Sequence, residues 1–225
     1  MYLLNYIRTC VCLIIAFTFI VTPVSAIYDI EGIPFRTAAQ GEVKGDVLTF
    51  GTYGITAPPL ECAFSLPAKP VWARVYTGVW GGTERYTGWE ELSVNNGVPV
   101  RRDLFGKDDR HPETLVSGCG VYWVAHDCTD QLRGGRNTVT LTTSRGQPES
   151  RIDGRVYGIF VVAVVEDAAR PVTRYWIAEG NENLHGEGWS GTNPTRHATC
   201  EVIFEKALPA ERGAADLTVV LLATT

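Results

Sequence analysis

Hydrophobic and polar positions alternate with a period of two through most of the chain, the spacing that sends successive side chains to opposite faces of a strand. In VWARVYTGVW, residues 71–80, Val71, Ala73, Val75, Thr77 and Val79 share one face, and Trp72, Arg74, Tyr76 and Trp80 share the other. This predicts a strand with an aliphatic side and an aromatic side. In WEELSVNNGVPV, Leu92 and Val94 precede Asn95-Asn96-Gly97, and Val98 and Val100 follow it. Asn and Gly tolerate positive φ, so a tight turn between paired strands is expected there. A further strand is predicted from Val121 to about Asp127. Another is predicted where Val139 and Leu141 alternate with Thr138, Thr140 and Thr142, with Gly134, Gly135 and Asn137 marking the break between the two.

The most apolar segment, VYGIFVVAVVED at 156–167, is hydrophobic on both faces and rich in valine. β-branched residues lose side-chain freedom in a helix, so a central strand covered on both sides is expected. Residues 167–171 turn the chain and VTRYWIA returns it. Two last strands are expected at Thr199 to Phe204 and Leu217 to Leu222. Many short strands, with turn signals between them and no helices to cover a parallel sheet, predict an all-β, antiparallel β-sandwich.

The first 26 residues break this pattern. Arg8, an apolar run from Cys10 to Val21, Pro23 and the small-residue end Val24-Ser25-Ala26 have the layout of a secretory signal peptide cleaved after Ala26. The run is too short for the roughly 20 residues of a membrane-spanning helix, so no membrane span is expected in the mature chain. Residues 27–225 are then one β-sandwich domain, since no linker, repeat or low-complexity tract divides them. The formal charge of −5 becomes −6 once Arg8 is removed. An acidic chain without a basic cluster argues against nucleic acid as a partner. Of the 6 cysteines, Cys62, Cys119, Cys128 and Cys200 remain after cleavage, and outside the cell they suggest two disulfides. A strand between Cys119 and Cys128 would hold them about 30 Å apart, beyond the ~7 Å reach of a bridge. Each would then pair with Cys62 or Cys200, in either order.

The densest polar chemistry is in YWIAEGNENLHGEGW, residues 175–189, which sets Glu179, Asn181, Glu182, Asn183, His185 and Glu187 between two tryptophans. Hard cations take carboxylate and amide oxygens, so Glu179, Asn181, Glu182 and Asn183 are calcium candidates, with Asp127 and Asp130 adding oxygens from a neighbouring loop. The cofactor expectation is accordingly none, or a structural calcium. Catalytic signals are weak. GxSxG is absent, and His111, His126, His185 and His197 show no zinc spacing. No catalytic residue is assigned, although Glu179 with Glu166 or Glu187 would offer a carboxylate pair. His126 reads as a core or edge histidine in phase with Val124. Trp72, Tyr76, Trp80 and Trp89, with Arg74, make either a stacking platform for sugar rings or a partner, or the second core face of an inner strand.

Taken in order, ARVYTGVWGGTERYTGW, GVYWVAHDCTD, NTVTLTT, IDGRVYGIFVVAVVED and YWIAEGNENLH resemble an archaeal domain of unknown function found in secreted and cell-surface proteins of methanogens. The resemblance covers nearly the whole mature chain. It implies an extracellular or cell-surface setting, and no catalytic residues are carried over with it. The pattern D-C-T-D-x-L-x-x-G-x-N-T-V, Asp127 to Val139, is similar to galactose-binding-like jelly rolls, which implies a jelly-roll-like sandwich with Asp127 in a positional role. The chain stops just after the last expected strand, which favours a free secreted module over an anchored one. The leading expectation is a non-enzymatic secreted or cell-surface module with an adhesive or structural role at an archaeal envelope, its partner a cell-envelope protein or glycan. The alternative is a calcium-dependent or calcium-free lectin-like domain, and the third reading is a glycan-active hydrolase.

Overall fold

A computed structural model describes residues 32–82, 86–116, 120–184, 199–204 and 215–220. The expected leader lies outside them, as do Cys119, His185, Glu187 and His197. The described residues form ten strands: β1 Gly32–Thr56, β2 Leu60–Leu66, β3 Pro70–Trp80, β4 Gly88–Val94, β5 Val100–Leu104, β6 Thr114–Val116, β7 Val121–Asp127, β8 Gly135–Thr143, β9 Val156–Glu166 and β10 Val172–Glu182. A single 3-10 turn at Gly106–Asp108 is their only helical element. Every pairing is antiparallel. One sheet runs β10-β1-β9-β3-β7-β6 and the other β2-β8-β4-β5.

The period-two pattern places the core between the sheets. Ala73, Val75 and Val79 of β3, Tyr122 and Val124 of β7, and Ile159, Val161, Ala163 and Val165 of β9 face Cys62, Phe64 and Leu66 of β2, Leu92 and Val94 of β4, and Val139 and Leu141 of β8. Phe50 of β1 stacks on Phe64 of β2 across the layers, with ring centroids 4.9 Å apart. Each fully buried valine or leucine contributes about 1.5–3 kcal/mol. β9 pairs with β1 on one side and β3 on the other, which accounts for its nearly unbroken apolar run. Asn95 and Asn96 take φ of 54° and 57°, as the turn between β4 and β5 requires.

The six-stranded sheet also curls on itself. β1 pairs with β10 through Lys44 and with β9 from Gly45 onward. A Cβ at Gly45 would sit 2.0 Å from the Val165 carbonyl oxygen, so only glycine fits where β1 changes partner. β10 then reaches the far edge of its own sheet. Asn181 Nδ2 donates to the carbonyls of Leu115 (2.6 Å) and Val121 (2.9 Å), on β6 and β7.

Two expected strands are corrected. Residues 199–204, and the described part of the last expected strand, 217–220, are not strands. Most of their apolar residues, including Ile203, Leu217 and Val219, are exposed. Conversely, the polar stretch through Glu179, Asn181 and Glu182 belongs to β10 and is not a loop, because β1 supplies its backbone partners from Gly32 to Lys44.

Candidate functional site

Inside the curled sheet the charges gather on Glu179, which stands opposite Arg36 in the β1–β10 register. Arg36 donates to Glu179 Oε1 from Nη2 at 2.9 Å and from Nε at 3.2 Å. Arg74 Nη1 donates to Oε2 at 2.8 Å and the Tyr76 hydroxyl donates to the same oxygen at 3.0 Å. The Glu179 side chain is 2% exposed, so the ion pairs act in a dry setting. Burial, and then the Glu179 charge, push the Tyr76 phenol far above its ordinary range, which keeps it protonated as a donor. Burial opposes the Arg74 cation, but the Glu179 hydrogen bond and charge outweigh it and raise its pKa.

This arrangement corrects both sequence-based sets. Tyr76 is buried and stacked on Trp123, with centroids 6.0 Å apart, so it belongs to a second core and not to an open platform. Trp72 is half-buried with the Arg74 guanidinium 6.0 Å from its ring. Trp80 meets Tyr157 edge-on, and Trp89 lies on the other sheet with Arg101 4.7 Å from its ring. The aromatic residues are therefore dispersed, because alternation along β3 sends Tyr76 under β10 while β4 belongs to another layer. The expected calcium set does not assemble either. Two guanidinium groups beside Glu179 oppose a cation. Asn181 is turned to backbone carbonyls, with Glu182 and Asn183 next along the chain. Asp130 pairs with Lys69 at 3.3 Å and Asp127 Oδ1 accepts the Thr129 N–H at 3.1 Å. Among the described residues, no three His, Cys, Asp or Glu side chains form a group that could hold a metal. No disulfide joins the described cysteines: Cys62, Cys128 and Cys200 are unpaired there, and Cys119 lies outside the described residues. Cys62 and Cys128 pack in the aliphatic core whereas Cys200 is exposed.

A second polar centre lies between the sheets. Glu90 of β4 is fully buried, and the Thr77 hydroxyl of β3 lies 2.9 Å from each of its oxygens. His126 Nε2 of β7 lies 2.7 Å from Glu90 Oε1, so His126 is a core histidine as expected, but one with an acidic partner from the opposite layer. Glu90 keeps the inward phase of Leu92 and Val94, which is the signal in the sequence that could have marked it. An uncompensated carboxylate here would cost several kcal/mol, so the hydroxyl and imidazole are what make its burial tolerable.

Beside this pair a small cleft of about 180 Å³ opens between the sheets. Leu92, Val100, Arg102, Glu113, His126, Asp127 and Gln131 line it. Arg102 Nη2 donates to Glu113 Oε2 at 2.7 Å and Nη1 contacts His111 Nε2. Asp109 holds this edge in place by accepting the backbone N–H groups of Phe105 and His111, each at 2.9 Å. The Cys128 thiol also lines the cleft. Burial first and the Asp127 charge second push it up to about 12, so it is an inert wall and not a nucleophile. Arg102, Glu113 and Gln131 escaped the sequence reading because the cleft joins β5, β6 and the β7–β8 connection, which no local pattern links.

A family model described as a protein of unknown function (DUF3344) matches residues 28–225. No curated protein matches the chain. Among solved structures the chain is similar to the exo-β-1,3-galactanase of Phanerochaete chrysosporium solved with galactose, at 18% identity and a TM-score of 0.31, over 55% of this chain and 29% of that one. It is also similar to the CBM35 from Cellvibrio japonicus Abf62, at 15% identity and a TM-score of 0.30, over 66% of this chain and 98% of that one. The chain thus spans under a third of the galactanase, and likenesses at this level speak to the fold alone.

Proposed function

The chain belongs to the DUF3344 family of proteins of unknown function, and from that premise we propose that it is a non-enzymatic carbohydrate-binding module working outside the cell. The observation that carries this reading is the lining of the cleft. A sugar ring presents hydroxyls that both donate and accept, together with apolar C–H edges. The Glu113 carboxylate accepts, the Arg102 guanidinium donates, the Gln131 amide does either, and Leu92 and Val100 offer apolar contact. At about 180 Å³ the cleft is smaller than the ~300–1,000 Å³ of drug-sized sites, which suits a single ring or the end of a glycan. Glu90 steadies His126 from behind, giving the wall a fixed orientation.

The same geometry favours binding over hydrolysis. Both oxygens of Glu179, the carboxylate a hydrolytic reading would use, are taken by Arg36, Arg74 and Tyr76. Glu90 is sealed from solvent. The apolar run at 10–21 and the small-residue end at Ala26 support export. An adhesive or structural role is the second reading, favoured by side chains such as Val98 and Tyr53, 91% and 84% exposed, which suit a partner protein.

A glycan array probed in calcium and in chelator, followed by calorimetry on the best ligand, tests the proposal. Arg102→Ala is expected to weaken binding at least about tenfold, the size of one charged hydrogen bond, and Trp89→Ala, on the outer face of the β2-β8-β4-β5 sheet, to leave it unchanged. Binding that survives Arg102→Ala but not Trp89→Ala would move the site to the outer face of the β2-β8-β4-β5 sheet.

A further inference from the structure

The cleft is graded along its length, and two contacts across it fix the direction. Glu90 of β4 meets His126 of β7 at 2.7 Å, and farther along the same two segments Asn95 Nδ2 donates to the Gln131 carbonyl oxygen at 3.0 Å. Leu92 and Cys128, each between the anchors of its own segment, line the cleft and belong to the aliphatic core. In the β4–β5 register Arg102 stands opposite Glu90, and Val100 opposite Leu92. The cleft therefore runs from a polar end at Arg102, Glu113 and His126 to an apolar stretch at Leu92, Val100 and Cys128, with the exposed Gln131 beyond. The polar end has a donor to give, since Arg102 Nε is buried without a hydrogen-bond partner among the described residues. Along the apolar stretch the Cys128 thiol is the one polar side-chain group, and a weak one. Asp127 pairs with Arg74 in the β3–β7 register and shares its face, so its carboxylate takes no part.

We infer that the cleft selects a 6-deoxyhexose, a sugar whose ring carries a methyl group where its parent hexose carries a hydroxymethyl. The inference rests on the carbohydrate reading of this cleft and names the sugar class. The ring hydroxyls accept from Arg102 and donate to Glu113, and the methyl group lies against Leu92, Val100 and Cys128. A hydroxymethyl in that place buries a hydroxyl without a partner, which costs more than its extra contact gains. An N-acetyl group sets an amide against the same apolar surface, in a cleft of only about 180 Å³. A uronic acid sets a charge there and is excluded most strongly.

Calorimetric titration compares each deoxy sugar with the hexose of the same configuration: quinovose with glucose, D-fucose with D-galactose, L-fucose with L-galactose and L-rhamnose with L-mannose. The matching pentoses, N-acetylglucosamine and glucuronate complete the set. One deoxy sugar is expected to bind about tenfold tighter than its hexose, a ratio worth about 1.4 kcal/mol and within what an apolar pocket achieves for a single group. Its pentose, which lacks the methyl as well as the hydroxyl, is expected to bind more weakly than the deoxy sugar, and glucuronate weakest of all. Val100→Thr places a hydroxyl beside the sugar's methyl group and is expected to bring the ratio close to one, chiefly by tightening the hexose. Val100 is 43% exposed, so the threonine variant keeps the fold, which its unchanged urea midpoint verifies. Equal binding of deoxy sugar and hexose overturns the inference and leaves the carbohydrate reading standing. So does a pentose that matches the deoxy sugar, a tighter N-acetylglucosamine, or a ratio that Val100→Thr does not move. Failure of every sugar removes the carbohydrate reading itself.

Discussion

Two glutamates are buried among the described residues, and they are held in opposite ways. Glu179 is gripped by two guanidinium groups and a phenol, whose residues lie 103 to 143 positions away in the chain. Glu90 is held by a hydroxyl and an imidazole, 13 and 36 positions away. The first pins the curl of the six-stranded sheet, joining β10 to β1 and β3. The second bridges the two layers and backs the wall of an open cleft. A carboxylate saturated by cations is committed to structure, whereas one hydrogen-bonded to a threonine and a histidine can back a surface that still has acceptors to offer.

Breaking each in turn separates the two roles. Glu179→Ala strands Arg74, whose side chain is 17% exposed, and removes a partner from Arg36. Deleting one member of a buried ion pair costs about 3–5 kcal/mol, and the half-exposed Arg36 places the loss toward the low end. Glu90→Gln keeps an acceptor for Thr77 and His126 and is expected to cost only about 1–2 kcal/mol. Urea unfolding of the two variants checks the order, with equal losses denying the contrast. A smaller effect concerns the thiols. The Cys128 pKa is raised from 9.0 to about 12, so the stability its neutral form contributes is fully present below pH 9 and is lost as pH climbs toward 12. The urea midpoint should therefore hold steady up to about pH 9 and fall above it. Alkylation at pH 8 should label Cys200 at once, and Cys62 and Cys128 only after unfolding.

The strands with clean alternation were legible in the sequence, because period two is a property of a strand and its nearest layer. β3, β7, β8 and β9 and the Asn95-Asn96 turn belong to this group. β1 was not legible. Its glycines at 41, 45, 51 and 54 weaken any local preference, and its partners lie more than a hundred residues away in β9 and β10. β10 was cut short in the reading since Glu179, Asn181 and Glu182 look like a loop until Arg36 and the β6 and β7 carbonyls are placed beside them. The Thr199 to Phe204 run shows the reverse error, since alternation without a partner does not make a strand. The cleft was hidden for the same reason as β1, although Glu90 in the phase of Leu92 and Val94 marked where a polar group would face inward.

The most direct test fills the cleft. Val100 lines it and is 43% exposed, so Val100→Trp puts a ring into the binding space without entering the main core. Titration of this variant with the sugar bound best by the native protein is expected to show binding abolished at an unchanged urea midpoint. Undiminished binding would contradict the account and place the ligand elsewhere on the molecule.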